Sequence, residues 1–324
     1  MKENFLHNHQ NFKDLLENTG TRNKIQSFLI EKDYFLMHVL WSMKELGLEF
    51  HLKGGTSLSK GYECIHRFSE DIDIHIKPDE ELCDFKVYSG PNHDKKKHIE
   101  SREKFFQWIT DYLDNKIDGI IQVARDPEFD DPSGKYRNGG IRLFYDSKLS
   151  PIDKLKEGIL LEVGFGKVTP YQSKNITSWA VEEASKISEV NFIDNTAKDI
   201  YCYEPKYTFV EKLQAIVRKF RLYKDEKNST LPANFIRHYY DLYQLIDRED
   251  VQQFIGTEEY NNFKIVHFKG DDPVISNSKA FTLDDKTDRE LFFMEYEKSE
   301  NLYYKGRPKF QEIIYRMNFF LDKL

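Results

Sequence analysis

Two strands and a glycine turn can be assigned within residues 50–77, which read FHLKGGTSLSKGYECIHRFSEDIDIHIK. Residues 71–76 alternate strictly between a polar side chain and isoleucine, and this period of two predicts a half-buried strand. The isoleucines then share one face, and Asp71 and Asp73 stand about 6.5–7 Å apart on the other. This distance leaves room for one or two hard cations, and Mg²⁺ prefers carboxylate oxygen. Because two unpaired carboxylates would repel each other, a metal is the simplest explanation for the pair.

The start of the same stretch predicts a site for phosphate. Residues 50–53 form a short strand, and Gly54 and Gly55 then allow the backbone to approach a ligand closely. The helix that follows presents unsatisfied N–H groups and a partial positive charge, which suit phosphate. Thr56 or Ser57 can cap that helix and donate a hydroxyl to a phosphate oxygen. Taken alone, the two glycines can be an ordinary turn, and the two aspartates can lie on a solvated strand face. The order of the glycine turn and the aspartate strand, however, indicates phosphoryl or nucleotidyl transfer.

This order of motifs resembles the signature of the DNA polymerase beta nucleotidyltransferase superfamily, hG[GS] followed by Dh[DE]h. Fifteen residues separate Gly55 from Asp71, more than in many members of that superfamily. The longer form, with RFSEDID at residues 67–73, is similar to the AbiEii/AbiGii toxin-like nucleotidyltransferases, which include the MenT toxins. Within it, Arg67 is expected to brace the metal strand or to contact a phosphate. The text IEKDYF at residues 30–35 resembles the helix that precedes the glycine turn in that family.

The resemblance implies an α/β (α+β) protein with a nucleotidyltransferase-fold lobe and a mixed β-sheet over residues 1–205. A helical lobe over residues 206–324 would close over the nucleotide. Periodicity agrees with this division, because strands are predicted before Pro205 and almost only helices after it. The predicted elements are a helix over 12–16, a long helix from Thr21 or Asn23 to Leu46, a helix over 99–115, strands over 119–124, 140–145 and 158–165, a helix over 177–187, a strand ending at 203, and helices over 207–223, 235–246, 288–296 and 308–323.

The composition limits the kind of partner. Lys and Arg number 48 against 55 Asp and Glu, which gives a net charge of −7 and excludes a surface that binds nucleic acid all over. Any RNA contact must therefore be a local patch. One basic run is HDKKKH at residues 93–98, which fits a lid over the nucleotide, a contact for an acidic polymer, or a solvated loop.

With 324 residues, the chain has ample material for one large domain or two lobes. It shows no run of 18 apolar residues and no signal-peptide or lipidation motif, so a cytoplasmic protein without a membrane contact is expected. Cys64, Cys83 and Cys202 are isolated, which fits neither a zinc site nor a disulfide framework.

A third carboxylate is expected on a downstream strand, because the superfamily carries one there. Glu162 interrupts the apolar run LLEVG at residues 160–164, and a buried glutamate without a partner is costly. The resemblance implies that Glu162 completes the metal site and activates the attacking hydroxyl, with Asp146 and Asp153 as the alternatives. The other interpretation is a structural glutamate at the edge of the core, paired with a nearby lysine or arginine.

Two further motifs lie on predicted helices of the second lobe. The EKL text at residues 211–213 resembles the family motif whose lysine, here Lys212, contacts the triphosphate, and lysine suits this role as a compact charge. RHYYDLYQL at residues 237–245 is similar to the last family motif, whose aspartate, here Asp241, is implied to hold Lys212 toward phosphate. Without the family, Lys212 can be a surface lysine over apolar neighbours, and Asp241 can pair with Arg237 on the same helix face.

The resemblance implies a nucleotidyltransferase that uses Mg²⁺ or Mn²⁺ and takes an NTP as substrate. Asp71, Asp73 and Glu162 would bind the metal, residues 54–57 the phosphates, and Lys212 the triphosphate. In the family the setting is a type IV-like toxin–antitoxin or phage-defence pair, and characterised relatives modify the tRNA 3′ end. An RNA acceptor, tRNA above all, and a cognate antitoxin of the winged-helix regulator type are therefore expected. Two alternatives are a nucleotide- or RNA-binding module without transfer activity, and an enzyme that nucleotidylates a protein hydroxyl.

Overall fold

The computed structural model describes residues 4–90, 92–150, 156–166, 168–188, 191–225, 231, 235–268 and 274–324. Contacts divide the chain into two units. The sheet unit comprises the chain up to Gly61 together with Phe68–Tyr203, and the helical unit comprises Tyr62–Arg67 together with Glu204–Leu324. No sequence pattern indicated that the short segment between the two parts of the sheet unit belongs to the helical unit. The predicted roles of the two lobes, catalysis and closure over a nucleotide, stay predictions.

In the described part of the chain, the sheet unit has seven strands: β1 (Glu49–Lys53), β2 (Asp71–Lys77), β3 (Ile120–Asp126), β4 (Asn138–Tyr145), β5 (Ile159–Gly164), β6 (Tyr171–Ile176) and β7 (Ala197–Tyr203). They form one sheet in the order β3-β4-β5-β2-β1-β7-β6. β2 runs parallel to β5 and β1 parallel to β7, whereas the other neighbouring pairs are antiparallel. This arrangement confirms the predicted α/β (α+β) class with a mixed sheet.

The helices described in the sheet unit are α1 (Phe12–Asn23), α2 (Ser27–Glu45), α3 (Gly54–Thr56), α4 (Glu80–Cys83), α5 (Lys96–Leu113) and α6 (Trp179–Ala184). The predicted start of the long helix at Thr21 or Asn23 is wrong, because both residues belong to α1. Lys24 adopts a left-handed conformation with φ of 56°, and this ends α1. α2 then begins anew at Ser27 and is buried over most of its length.

The alternation predicted for the second strand is present in β2. Its three isoleucines are at most 2% exposed, whereas Asp71 and Asp73 on the opposite face are partly exposed. α2 contacts β5 and β7, and α5 contacts β3 and β4. The sheet therefore combines a buried apolar face with a polar face that carries the two aspartates.

The sequence pattern does not predict β6. Its residues, YQSKNI, are mostly exposed and only the last one is buried, so no alternation marks the strand. β6 lies at the edge of the sheet and pairs with β7 alone. An edge strand of this kind is defined by its neighbour rather than by its own hydrophobic residues.

The helices described in the helical unit are α7 (Pro205–Asp225), α8 (Arg237–Leu245), α9 (Glu249–Phe254), α10 (Glu258–His267), α11 (Lys286–Glu297) and α12 (Phe310–Phe320). α8 packs against α7 and α12. Tyr239 of α8 lies at the centre of an aromatic core, with edge-on contacts to Phe235, Phe281, Phe292 and Phe310 at centroid distances of 5.5–6.0 Å. Ring packing thus holds α8 in the core of the helical unit.

Candidate active site

A row of charged side chains crosses three neighbouring strands of the sheet unit. Lys53 of β1 lies opposite Asp73 of β2, and Asp73 lies opposite Glu162 of β5. Residues opposite each other on neighbouring strands point to the same face of a sheet. Asp71 precedes Asp73 by two residues and shares that face, so we call Asp71, Asp73 and Glu162 the carboxylate row. The Lys53 ammonium lies 3.6 Å from the Asp73 carboxylate, and these two side chains are 33% and 29% exposed.

The carboxylate row has the donor chemistry that a hard cation requires. Mg²⁺ is commonly held by one or two carboxylates, with water and substrate phosphates completing its shell. Lys53 shows that a positive charge is accommodated beside Asp73. Among the residues that the structure describes, however, no three His, Cys, Asp or Glu side chains are grouped closely enough to hold a metal ion. The predicted set of three metal ligands is not assembled by the protein alone, and metal binding stays a proposal.

The strand register places Glu162, and not Asp146, opposite Asp73. Glu162 faces Asp73 on one side and Gly140 of β4 on the other. Asp146 follows the far end of β4, about 20 Å along the strand from Gly140, and it is exposed. Asp153 lies outside the described residues.

Gly54 brings the glycine turn directly against the carboxylate row. Its φ of +69° lies in the left-handed region, and a Cβ at this position would stand 2.3 Å from Oδ2 of Asp73. Backbone strain and lack of space therefore both require glycine here. α3 begins at Gly54 itself, so the N–H groups of Gly54, Gly55 and Thr56 have no acceptor within the helix. Backbone donors thus lie in the turn that contacts Asp73.

The hydroxyls of Thr56 and Ser57 hold the turn in place. Thr56 donates to the carbonyl oxygen of Asp71 at 2.6 Å, and Ser57 donates to that of Tyr203 at 3.3 Å. Both side chains are buried. The predicted side-chain cap is wrong, because Lys53 occupies the N-cap position and no side chain caps α3. A phosphate at this turn would therefore be bound by backbone N–H groups rather than by these hydroxyls.

A buried ion pair, which the sequence analysis missed, anchors the helical turn Ser57–Gly61 that follows α3. Lys60 lies 2.8 Å from the carboxylate of Asp33 in α2, and the backbone N–H of Trp179 donates to the same carboxylate at 2.9 Å. The Lys60 ammonium also lies 4.0 Å from the centre of the Trp179 ring. Burial raises the pKa of Asp33 against the opposing effect of Lys60. The sequence signal for this pair is the charged triplet at residues 31–33 inside an otherwise apolar helix.

The helical unit holds a buried ionic cluster of Arg67, Lys212 and Asp241, which we call the Asp241 cluster. Arg67 donates from Nε and Nη2 to the two carboxylate oxygens of Asp241 at 2.6 and 2.7 Å. Lys212 of α7 lies 3.2 Å from Oδ2 of the same carboxylate. The Asp241 side chain is 0% exposed and that of Arg67 4%. Burial opposes ionisation, but Arg67 and then Lys212 outweigh it and lower the pKa of Asp241.

The predicted pair of Lys212 and Asp241 is therefore present, and Arg67 is a partner that the sequence analysis missed. Arg67 was expected to brace the metal strand or to contact phosphate, whereas the structure gives it a bidentate pair with Asp241. The two residues are 174 positions apart. No local pattern reveals a pair at that separation, because only the tertiary fold brings the two side chains together.

His238 of α8 lies beside the Asp241 cluster and near several positive side chains. The pKa of His238 in α8 is held well below its usual value by burial and then by four positive side chains, Lys212, Lys219, Arg67 and Arg237. Nδ1 of His238 lies 3.3 Å from Nζ of Lys212, where a neutral ring can accept a hydrogen bond.

A comparison with models of known protein families identifies one that covers most of these features. The family model described as nucleotidyl transferase AbiEii toxin, type IV toxin–antitoxin system, matches residues 35–312. The chain belongs to the AbiEii family. No curated protein and no solved structure matches it significantly.

Membership in the AbiEii family confirms the resemblance drawn from the sequence motifs. The matched residues include the carboxylate row, the glycine turn and the Asp241 cluster. The family is one of nucleotidyltransferase toxins, so a nucleotide substrate and an antitoxin partner follow from membership. Of the helices in the described ranges, none is long and apolar enough to cross a membrane.

Proposed function

We propose that this AbiEii-family chain transfers a nucleoside monophosphate from an NTP to a hydroxyl of an RNA acceptor, the tRNA 3′ end, with Mg²⁺ or Mn²⁺ as cofactor. The observation that carries the proposal is the carboxylate row beside the glycine turn, where Asp73 faces Glu162 and Gly54 lies against Asp73. This arrangement combines oxygen ligands for a hard cation with backbone donors for phosphate. Nucleotidyl transfer depends mainly on these two kinds of group.

Within the sheet unit, Asp71 and Asp73 would hold the metal and the turn would hold phosphate. A bound metal would neutralise the phosphate charge and polarise the reacting α-phosphate. Residues 54–57 would donate backbone N–H groups to the β- and γ-phosphates. Lys53, which lies against Asp73 in the structure, would turn toward phosphate oxygen when the carboxylate takes up a cation.

Glu162 would accept the proton of the attacking hydroxyl. The acceptor oxygen forms a bond to the α-phosphorus while the bond to the oxygen bridging to the β-phosphate breaks, and pyrophosphate leaves. Neighbouring strands lie about 5 Å apart, so Glu162 and Asp73 are close enough for one to act on the hydroxyl while the other acts on the metal. Both carboxylates would thus serve the same phosphorus atom.

Within the helical unit, Lys212 would contact the triphosphate, as the family motif implies. One observation supports this role: the buried Asp241 carboxylate lies 3.2 Å from the Lys212 ammonium and fixes its position. Asp241 and Arg67 would act as positioning residues. They would hold Lys212 through the ionic cluster rather than touch the reacting atoms.

We further propose that the protein acts in the cytoplasm, where NTPs and tRNA occur, and that its antitoxin is a winged-helix type regulator. Family membership supports an antitoxin partner of some kind. The competing functions are transfer to a protein hydroxyl and nucleotide or RNA binding without transfer.

A transfer assay tests the proposed function. Purified protein is incubated with Mg²⁺, total tRNA and each α-³²P-labelled NTP in turn, beside Asp71→Ala/Asp73→Ala protein. Label that moves to RNA with the wild type alone would support the proposal and identify the nucleotide. Label on a protein band would favour the protein acceptor, and bound NTP without any labelled product would favour the binding module.

A further inference from the structure

The basic run at residues 93–98 leads into α5, and its surroundings suit a ligand that the proposed reaction does not use. α5 is 18 residues long, and its N-cap residue, Lys95, makes no side-chain capping bond. The first N–H groups of the helix, those of Lys96 and Lys97, have no acceptor within it. The side chains of all three lysines are exposed. Lys96 also lies 3.7 Å from the carboxylate of Glu100 in an exposed pair. The helix dipole and the remaining lysines give this end of α5 a positive potential.

Arg102 of α5 is a buried cation without a carboxylate partner. It is 0% exposed. Nη1 donates to the carbonyl oxygens of Tyr88 and His93 at 2.6 and 2.9 Å, and Nε donates to that of Lys135 at 2.9 Å. Over the ranges that the structure describes, Nη2 has no hydrogen-bond partner and Arg102 takes part in no ion pair. A buried guanidinium that lacks a direct ion-pair partner is unfavourable, so an anion would complete its surroundings.

The guanidinium of Arg102 lies at the N-terminal end of α5. Side chains on a helix point back toward its N-terminus. The bond from Nη1 to the carbonyl oxygen of His93 fixes this direction, because His93 precedes the N-cap residue Lys95 by two positions. The unpartnered Nη2 therefore belongs to the same end of the helix as the unsatisfied N–H groups.

His98, in the first turn of α5, supplies a second unpartnered atom. The residue is 8% exposed, and its ring stacks on that of Tyr88 at 4.3 Å. Nδ1 of His98 has no hydrogen-bond partner among the described residues. Burial lowers the pKa of His98, followed by the charges of nearby basic groups, His93, Lys97, Lys95 and Arg102. A neutral imidazole still donates from Nδ1 when that nitrogen carries the proton.

The carboxylates that act on Arg102 have other partners. Asp94 accepts from Lys135 at 2.7 Å and from Arg137 at 2.6 Å, and these bonds lower the pKa of Asp94 to about 2. Asp131 accepts from the backbone N–H of Arg137 at 3.0 Å. Burial and then Arg137 lower the pKa of Arg102 in spite of both carboxylates. Both carboxylates are thus engaged by other groups, and neither forms an ion pair with Arg102 in the described part of the chain.

We propose that the N-terminal end of α5 binds a phosphate group, with Arg102 Nη2, His98 Nδ1 and the N–H groups of Lys96 and Lys97 as donors. A phosphate offers several oxygen acceptors, and arginine and helix N-termini both suit it. Phosphates of a nucleic acid strand and free inorganic phosphate share this chemistry. The strand is the source that also engages the exposed lysines, because its neighbouring phosphates extend beyond the buried donors. Binding at this site requires no transfer activity. A negative result in the binding test would therefore leave the proposed function untouched, and a negative transfer assay would leave this proposal untouched.

The test measures binding by the full-length protein without NTP or divalent metal. One arm follows the fluorescence anisotropy of a short fluorescein-labelled single-stranded RNA over a range of salt concentrations. The other follows the Tm of the protein with and without inorganic phosphate. Both use the wild type, Lys96→Ala/Lys97→Ala and His98→Phe, and Lys104→Ala/Lys116→Ala serves as a matched control. Lys104 lies farther along α5 and Lys116 just after it, and both are exposed.

We expect Lys96→Ala/Lys97→Ala to weaken RNA binding about tenfold at low salt and to reduce the salt slope by about two. His98→Phe keeps the ring stacked on Tyr88 and removes Nδ1, so it should keep the Tm while weakening binding about tenfold. The matched control should stay within about twofold of the wild type.

The two arms distinguish the sources of phosphate. A phosphate-dependent rise in Tm that His98→Phe abolishes would support a site open to free phosphate. If the same variants weaken RNA binding but inorganic phosphate does not change the Tm, the phosphates of the RNA backbone are supported as the ligand. Equal responses of the wild type, His98→Phe and Lys96→Ala/Lys97→Ala, or no response to either probe, would overturn the proposal.

Discussion

The carboxylate row of the sheet unit and the Asp241 cluster of the helical unit both pair a carboxylate with a lysine, but in opposite surroundings. In the row, Asp73 is 29% exposed and meets Lys53 at 3.6 Å. In the cluster, Asp241 is 0% exposed and is bound by Arg67 through both oxygens and by Lys212. An exposed, loosely paired carboxylate can exchange its partner for a ligand at little cost in stability, whereas a buried one fixes its partners. This contrast supports the proposal that the row carries the chemistry and that the cluster positions Lys212.

The largest effect on stability is expected for the cluster. Asp241→Ala leaves two cations, Arg67 and Lys212, without their counter-charge, and breaking a buried pair costs about 3–5 kcal/mol. Urea unfolding of the wild type and the variant, followed by circular dichroism, measures the difference. A loss below about 1 kcal/mol, which is usual for exposed pairs, would show that the cluster behaves like the row.

A double replacement serves as the control for Asp241→Ala. Arg67→Met/Asp241→Leu removes both partners of the bidentate pair, and apolar residues often replace a buried ion pair without loss of stability. Most of the stability lost in Asp241→Ala should return. Transfer activity should stay low, because Lys212 has lost the carboxylate that holds it. Wild-type activity in this variant would show that Asp241 does not position Lys212.

Gly54→Ala should have the next largest effect, and Gly47→Ala is its matched control. Both glycines have positive φ, +69° and +81°, but a Cβ at Gly54 would meet Asp73 and one at Gly47 would meet nothing within 4 Å. Backbone strain costs each variant about 1–2 kcal/mol, and displacement of Asp73 adds about 1–3 kcal/mol to Gly54→Ala alone. Urea unfolding and the transfer assay measure both effects. Equal losses in the two variants would show that the turn does not constrain the row.

A smaller, pH-dependent effect is expected from the sheet unit. Burial and then the charges of His51 and Lys53 lower the pKa of His75 to about 4, and Nε2 of His75 accepts from the backbone N–H of Gly166 at 2.8 Å. Below pH 6.5 the unfolded chain takes up a proton that the folded chain excludes. The contribution of His75 to the free energy of unfolding is therefore complete above that pH, and at pH 5 it has fallen by about 1–2 kcal/mol.

The pH window separates His75 from Asp241. The folded-state pKa of Asp241 is lowered, so its contribution is complete above the unfolded-state pKa of about 4 and is lost only in stronger acid. Unfolding free energies measured between pH 7 and pH 5 should thus include the contribution of His75, together with those of other histidines whose pKa is lowered, such as His38 and His238, but not that of Asp241. His75→Gln should flatten this part of the profile, and an unchanged slope would contradict the assigned pKa.

The smallest effect on stability is expected for Asp73→Asn. The substitution removes a carboxylate that is partly exposed and meets a single lysine ammonium at 3.6 Å. Its free energy of unfolding should stay within about 0.5 kcal/mol of the wild type. A loss comparable to that of Asp241→Ala would show that the row is a structural ion pair rather than an exchangeable one.

Much of the fold could be predicted from local patterns. The strict alternation at residues 71–76 gives β2 and both of its faces, because a period of two needs no distant partner to be recognised. Helix periodicity gives α2 and α7 in the same way, apart from their ends. β6 could not be predicted, since its polar sequence acquires its conformation by pairing with β7. The break before α2 depends on a single left-handed residue, Lys24, which the helical period does not reveal.

The candidate site likewise has parts that local sequence patterns reveal and parts that only the tertiary structure reveals. Motifs point to the carboxylate row, the glycine turn and Lys212, because each lies in a short stretch of recognisable order. The bidentate partner of Asp241, Arg67, lies 174 residues away, so only the tertiary structure shows it. The unpartnered atoms of Arg102 and His98 equally require coordinates, because a sequence gives charge but not the absence of a partner.

Single-turnover transfer by Asp71→Asn/Asp73→Asn protein tests the assignment of chemistry to the carboxylate row most directly. The assay uses α-³²P-labelled NTP and RNA acceptor, with the free energy of unfolding measured on the same preparation. We expect a variant that is as stable as the wild type and transfers label about 1000-fold more slowly, since metal-ion stabilisation of the transition state is worth several kcal/mol. A stable variant that transfers label within about tenfold of the wild-type rate would contradict the assignment.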